Sequence, residues 1–196
     1  MMKIAFSGTP KSGKTSLITE VKKILSLKYN VELVDEITHK SPYDNSRKSE
    51  FKSQFFFLTT QINDENIKAI TGPDLLLCDR SVLDQWVYWN KHIAGKKLSP
   101  QMTEKNNLLE QLYRYWIQTY DMIFFIRLDS KEFDRRIDPD EFRSVNADYI
   151  KKVEEIFLKI ISEDNMKVNE IWNNNTIDES AQNVIQLISE KMDANQ

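Results

Sequence analysis

Lys3-Ile-Ala-Phe-Ser7 runs directly into Gly8-Thr9-Pro10-Lys11-Ser12-Gly13-Lys14-Thr15. A short apolar strand is thus followed by the GxxxxGK(S/T) pattern at a strand-to-helix turn, the context in which that pattern has physical meaning. Gly8 and Gly13 permit a tight turn whose backbone N–H groups face one anion, Lys14 reaches the β- and γ-phosphates, and Thr15 offers a hydroxyl to Mg²⁺. The helix that begins here adds the positive end of its dipole. The stretch from Gly8 through Thr9, Pro10, Lys11, Ser12, Gly13, Lys14 and Thr15 to Ser16 is therefore read as a site for ATP and Mg²⁺.

The pattern of the chain continues outward from this loop. Leu17, Ile18, Val21, Ile24 and Leu25 recur at helical spacing, which predicts a helix to about residue 28, broken at Asn30. Val31 to Val34 reads as a second strand ending in the acidic pair Asp35-Glu36, and Thr38 to Lys48 as a loop. Ser49 to Ile70 has helical periodicity and stops at Gly72-Pro73. Asp74 to Asp79 is a short buried strand closing on a carboxylate, the form in which an acid sits near the metal of a nucleotide site.

Val82 to Ile93 makes an aromatic-rich helix ending near Gly95, followed by a polar link to Thr103 and a helix carrying Leu108 to Ile117. Asp121 to Leu128 is a fourth strand, and a charged segment from Asp129 to Ser144 precedes Asn146, an N-cap for the helix with Tyr149 to Ile160. Met166 to Trp172 is a fifth strand, and Thr176 with Glu179 forms a capping box before the last helix. Five strands alternating with helices predict one α/β domain over residues 1–196, its parallel sheet covered on both faces.

Composition narrows the function classes. The chain has 196 residues, 40% hydrophobic and 29% charged, with a net charge of -3, which argues against bulk electrostatic capture of nucleic acid. Lys96-Lys97 and Arg47-Lys48 leave a local basic groove open. Cys78 has no internal partner, so a reducing, cytoplasmic setting is expected. No stretch approaches the ~20 apolar residues that span a bilayer, and no membrane partner is expected. His39 and His92 lack companions at metal spacing. The aromatics at 55–57, 86, 89 and 116 read as core, with base stacking as the alternative.

Gly8 to Thr15, Asp35-Glu36, a helix through Gln54 and Gln61, Cys78-Asp79-Arg80-Ser81 and an arginine-bearing segment after Leu128 together resemble the P-loop small-molecule kinases. The nearest likeness is to AAA-type ATPase-like domains related to ribosylnicotinamide kinase, with the deoxynucleoside and thymidylate kinases as wider relatives. The resemblance implies a three-layer fold with strand order 2-3-1-4-5, a mobile lid at 129–145, and γ-phosphoryl transfer from ATP to a small-molecule acceptor. It leaves room for a homodimer. It implies that Glu36 or Asp35 binds or deprotonates the acceptor, that Asp79-Arg80 is an acid–arginine pair, and that Gln54 or Gln61 contacts a base. The lid, Arg135-Arg136-Ile-Asp138-Pro-Asp-Glu141-Phe-Arg143, lacks a glycine found beside the lid acid in several relatives.

Phosphoryl transfer needs positioning and electrostatics more than a covalent partner. Lys14, Thr15 and Asp79 would lie under the triphosphate, with Thr15 and Asp79 as metal ligands. Arg135, Arg136 and Arg143 would close over it, or else pair with Glu132, Asp134, Asp138, Asp140 and Glu141 at the surface. Arg80 would bind an acceptor phosphate or fix the γ-phosphate. The expectation is a kinase acting on a nucleoside, nucleotide or related molecule. The alternatives are a nucleotide-hydrolysing switch and a kinase for a nucleic-acid base or end, although no NKxD motif occurs late in the chain.

Overall fold

The computed structural model describes residues 1–43, 50–129, 132, 147–174 and 176–194. The strands are β1 (Met2–Gly8), β2 (Val31–Val34), β3 (Leu75–Asp79), β4 (Met122–Arg127) and β5 (Asn169–Trp172). They form one sheet in the order β2-β3-β1-β4-β5, and every pairing is parallel. This is the order that the resemblance implies. The helices are α1 (Lys14–Leu25), α2 (Phe51–Ala69), α3 (Val82–Ile93), α4 (Pro100–Ile117), α5 (Ala147–Glu163) and α6 (Ile177–Asp193).

Side chains of a strand alternate between faces, so the near-continuous apolar runs of β1, β3 and β4 require cover on both sides. Ile4, Phe6, Leu75, Leu77 and Phe124 pack against Leu17 and Val21 of α1 and Val184 and Ile188 of α6. Ala5, Leu76, Cys78 and Phe125 face the other layer, where α2, α3, α4 and α5 contribute Leu58, Trp89, Tyr113 and Phe157. Ring pairs tie strand to strand and strand to helix: Phe6 on Phe124 and Phe125 on Phe157, each with centroids 5.2 Å apart. Burying a side chain of this size contributes roughly 1.5–3 kcal/mol. Two polar residues of β1 are buried as well: Ser7, and Lys3, a cation that Glu65 of α2 meets at 2.9 Å.

Several boundaries differ from the sequence reading. The helix α1 ends at Leu25, three residues early, and its last turn closes through Tyr29 N–H donating to the Leu25 carbonyl. The expected loop from Thr38 opens with a short 3-10 turn over Ile37–Lys40, fixed by the buried Ile37. The expected link to Thr103 is corrected: α4 begins at Pro100, because the Ser99 hydroxyl accepts from the Met102 N–H and proline fits the first helical position. Apolar spacing, which starts only at Leu108, hides that start. The strand β5 pairs from Asn169, later than Met166. The capping box of Thr176 and Glu179 is present as read. Asn146 lies outside the described residues.

Cys78 is fully buried in β3, and that burial pushes its thiol well above the usual range. Among the described residues, no helix is long and apolar enough to cross a membrane.

Candidate active site

The carboxyl ends of β1, β2 and β3 lie side by side, which is where an open parallel sheet gathers ligand-contacting groups. From β1 comes the loop. Gly8 has φ 147°, and a Cβ there would lie 2.3 Å from the Ile126 carbonyl oxygen of β4, so only glycine fits this register. Lys11 and Gly13 have φ 63° and 80°, the left-handed steps that turn the chain into α1. Lys14 is buried and folds back over the loop, its Nζ donating to the carbonyls of Gly8 (3.0 Å) and Thr9 (2.6 Å) and to Ser12 Oγ (3.2 Å). Burial, and then the Arg80 charge, bring the Lys14 ammonium down to about 8, against opposing pulls from Asp84, Asp79 and Glu36.

Asp79 ends β3 beneath this loop. Its Oδ2 accepts from Thr15 Oγ1 at 2.6 Å, while the buried Oδ1 has no hydrogen-bond partner. Burial raises the Asp79 carboxyl above its ordinary range, although Thr15, Lys14 and Arg80 pull it down. An acid of this kind has acceptor capacity that a cation would satisfy. The exposed Thr15 hydroxyl stands next to it. The pair therefore fits Mg²⁺.

Arg80, the next residue, occupies the left-handed region at φ 82°, a conformation that costs a non-glycine residue roughly 1–3 kcal/mol. The bend carries its side chain back across the strand ends. Nε lies 2.9 Å from Glu36 Oε1 and an Nη 3.5 Å from Asp84 Oδ1, and the same Nη donates to Tyr88 OH at 3.4 Å. Burial opposes the Arg80 charge, but Tyr88, Glu36 and Asp84 more than offset it. For Glu36, burial pushes the carboxyl up, and Arg80 together with the Thr38 hydroxyl outweighs it, so the net displacement is downward. Glu36 is thus an ionised acid, paired with Arg80 by charge and hydrogen-bonded by the Thr38 hydroxyl.

Lys14, Asp79, Arg80 and Glu36 form one electrostatic cluster. A family model described as an AAA domain matches residues 3–179 of the sequence, from the first strand to the last helix. The chain belongs to this AAA domain family. A comparison with curated proteins gives no match. Among solved structures, the AAA domain is similar to deoxyadenosine kinase from M. mycoides with bound dATP, with a TM-score of 0.69 at 18% identity, covering 98% of this chain and 100% of that one. The same kinase with bound dCTP gives 0.70 at 18%, with the same coverage. Thymidylate kinase from Candida albicans gives 0.69 at 17%, covering 97% of this chain and 92% of that one. The AAA domain therefore has the P-loop kinase fold.

Other residues singled out in the sequence are more dispersed. Asp35 is exposed, so of the acidic pair only Glu36 turns inward. Gln54 is buried and packs with Leu58, Gln85, Trp86, Trp89 and Tyr113 around a gap too small to admit water. Gln61 is fully buried, and its amide N–H₂ is spent on Glu65 and the Arg80 carbonyl. Arg135, Arg136 and Arg143 lie outside the described residues, as does most of the expected lid.

Three residues of the site escape a reading by pattern. Asp84 is completely buried, accepts from the Gly8 and Ser81 N–H groups and joins α3 to the phosphate loop; its only sequence signal is Ser81-x-x-Asp84, a capping box with aspartate. Asn173 donates to the Ser12 carbonyl at 2.8 Å and so ties the end of β5 to the same loop. Gln85 is buried with its Nε2 unbonded, in the same closed packing as Gln54.

Proposed function

We propose that this AAA domain is a kinase that moves the γ-phosphoryl group of ATP onto a hydroxyl of a nucleoside-class acceptor. The observation that carries this reading is that the consecutive residues Asp79 and Arg80 each anchor a pair, Thr15–Asp79 beneath the loop and Glu36–Arg80 beside it. In this reading Gly8 to Ser16 cradle the triphosphate, and Lys14 leaves its loop carbonyls for the β- and γ-phosphates. Thr15 and Asp79 hold Mg²⁺, which when bound neutralises charge on those phosphates. Arg135, Arg136 and Arg143 are proposed to close the site from the lid.

The acceptor oxygen forms a bond to the γ-phosphorus as the bond to the β–γ bridging oxygen breaks, and ADP leaves. Glu36, already ionised, takes the proton of the attacking hydroxyl. Arg80 keeps Glu36 aimed. Its charge is spent on Glu36 and Asp84, which makes a neutral hydroxyl a better fit to this end of the site than a phosphate. The packing around Gln54 and Gln85 admits no water as it stands; in this reading it opens to take the acceptor's base, whose edge and face suit side-chain amides and aromatic rings. Of the similar structures, one is named for a nucleoside and one for a nucleotide.

The test is ATP turnover with Mg²⁺ and a panel of nucleosides, nucleoside monophosphates and short oligonucleotides. Nucleosides are expected to stimulate it. Stimulation by monophosphates or oligonucleotides alone would reassign the acceptor, and hydrolysis indifferent to every addition would favour a nucleotide switch.

A further inference from the structure

A buried polar hub lies behind the Arg80 turn, and the chemistry above does not use it. Its centre is Glu65 of α2, 1% exposed. Oε2 accepts from Lys3 Nζ at 2.9 Å and Trp116 Nε1 at 2.7 Å; Oε1 accepts from Tyr120 OH at 2.6 Å and Gln61 Nε2 at 2.8 Å. The Lys3 ammonium also sits 4.4 Å from the Trp116 ring centroid and 4.7 Å from that of Tyr120. One carboxylate therefore orders side chains from β1, α2, α4 and the turn before β4.

Two of those four partners reach onward to the same place. The Gln61 amide gives its second hydrogen to the Arg80 carbonyl at 3.3 Å, and Tyr120 OH accepts from the Val82 N–H at 3.3 Å. The carbonyl before Ser81 and the N–H after it are thus both held by side chains that Glu65 holds. Both neighbours of the Gln61 nitrogen are acceptors, which fixes the orientation of that amide. Backbone in a sparsely populated conformation persists only where its surroundings over-determine it. Arg80, at φ 82°, is such a residue, and it aims the guanidinium that grips Glu36.

We infer that Glu65 is a positioning residue, which acts through Gln61 and Tyr120 to hold the Arg80 turn in its left-handed form and so keeps the Arg80–Glu36 pair aligned. Trp116 bonds the same carboxylate but leads nowhere near the turn, so it separates stability from positioning. The catalytic consequence of this inference rests on the kinase reading; its geometric content does not.

The experiment compares Glu65→Gln, Tyr120→Phe and Trp116→Phe with the unmodified chain by two measurements. The first follows the Arg80 Nε–H resonance by ¹⁵N NMR, assigned with Arg80→Lys. In Glu65→Gln and Tyr120→Phe this resonance should shift and broaden toward those of exposed arginines, whereas in Trp116→Phe it should stay in place while the melting temperature falls. The second is acceptor-dependent turnover: in the first two variants kcat should fall about tenfold or more through misaligned groups, with the KM for ATP unchanged. Should Glu65→Gln not fold, Tyr120→Phe carries both measurements. An unmoved Arg80 resonance in Tyr120→Phe overturns the inference, whether or not the protein proves to be a kinase. Absence of acceptor-dependent turnover in the unmodified chain overturns the kinase reading instead, and the resonance still decides the role of Glu65.

Discussion

Arg80 Nε stands 2.9 Å from Glu36 Oε1, joining the ends of β3 and β2 across the mouth of the site. The strands are neighbours in the sheet, yet the two residues are brought together only because the chain turns left-handed immediately after Asp79.

If Glu36 is the proton acceptor, Glu36→Gln should lower acceptor-dependent kcat by roughly 10²–10⁴-fold, the range of general-base contributions. ATP affinity, measured by calorimetry, should stay within about twofold, because the phosphate loop contacts remain. Equal losses in both would make Glu36 structural. The pH dependence has a definite sign. The folded Glu36 carboxyl is displaced downward from 4.5, so its stabilising contribution is present above that value and lost as pH falls through the depressed folded value. Turnover should therefore be flat in Glu36 from neutral pH down to that acid limb.

Lys14→Ala should abolish turnover while circular dichroism remains that of the folded chain. The unmodified protein should show a second signature. With the Lys14 ammonium near 8 in the absence of nucleotide, ATP affinity should weaken by about tenfold per pH unit above that point if binding requires the cation. Burying the charge costs stability below about 8, and the cost is relieved as pH rises from there toward 10.5. Nucleotide affinity that is level from pH 7 to 9.5 would contradict the role given to Lys14.

Asp79→Asn tests the metal. The Mg²⁺ concentration for half-maximal turnover should rise about 10–100-fold with one charged ligand gone, the scale on which groups around a bound metal matter. The melting temperature without nucleotide should hold or rise, because the raised Asp79 carboxyl marks a buried charge that costs stability at neutral pH. A lower melting temperature with unchanged Mg²⁺ demand would leave Asp79 only a partner for Thr15.

Whether the closed packing around Gln54 and Gln85 opens to an acceptor is tested by Gln85→Leu. Its unbonded Nε2 means the folded protein loses no hydrogen bond, so stability should change little. Acceptor KM should rise about five- to thirtyfold, the equivalent of about 1–2 kcal/mol of binding, as one amide contact disappears. ATP affinity should not change. An unaltered acceptor KM would place the acceptor elsewhere.

The five strands and the phosphate loop were legible in the sequence because each is a local pattern. Gly8 and Gly13 announce their turn, and Asp79 announces itself by closing an apolar run. The partners that aim those residues were not legible. Asp84 looks like an ordinary helix cap until the fold brings Gly8 to it, 76 positions away in sequence, and Asn173 reaches Ser12 across 161. Glu65 has no signature at all, sitting among polar residues on a helix whose pattern predicts a solvated face. Of the two glutamines offered as base contacts, Gln61 is bonded to Glu65 and the Arg80 carbonyl, partners that no local pattern foretells. Periodicity reports which side of an element is buried, and long-range hydrogen bonds depend on which elements meet there.

Cys78 is the only cysteine in the chain, and it is sealed within the central strands. Maleimide and similar labels should therefore pass over the native protein, which serves as its own silent background. A single cysteine introduced at the exposed Asp35, beside Glu36, could carry a fluorophore without any prior replacement, and nucleotide binding could be followed directly.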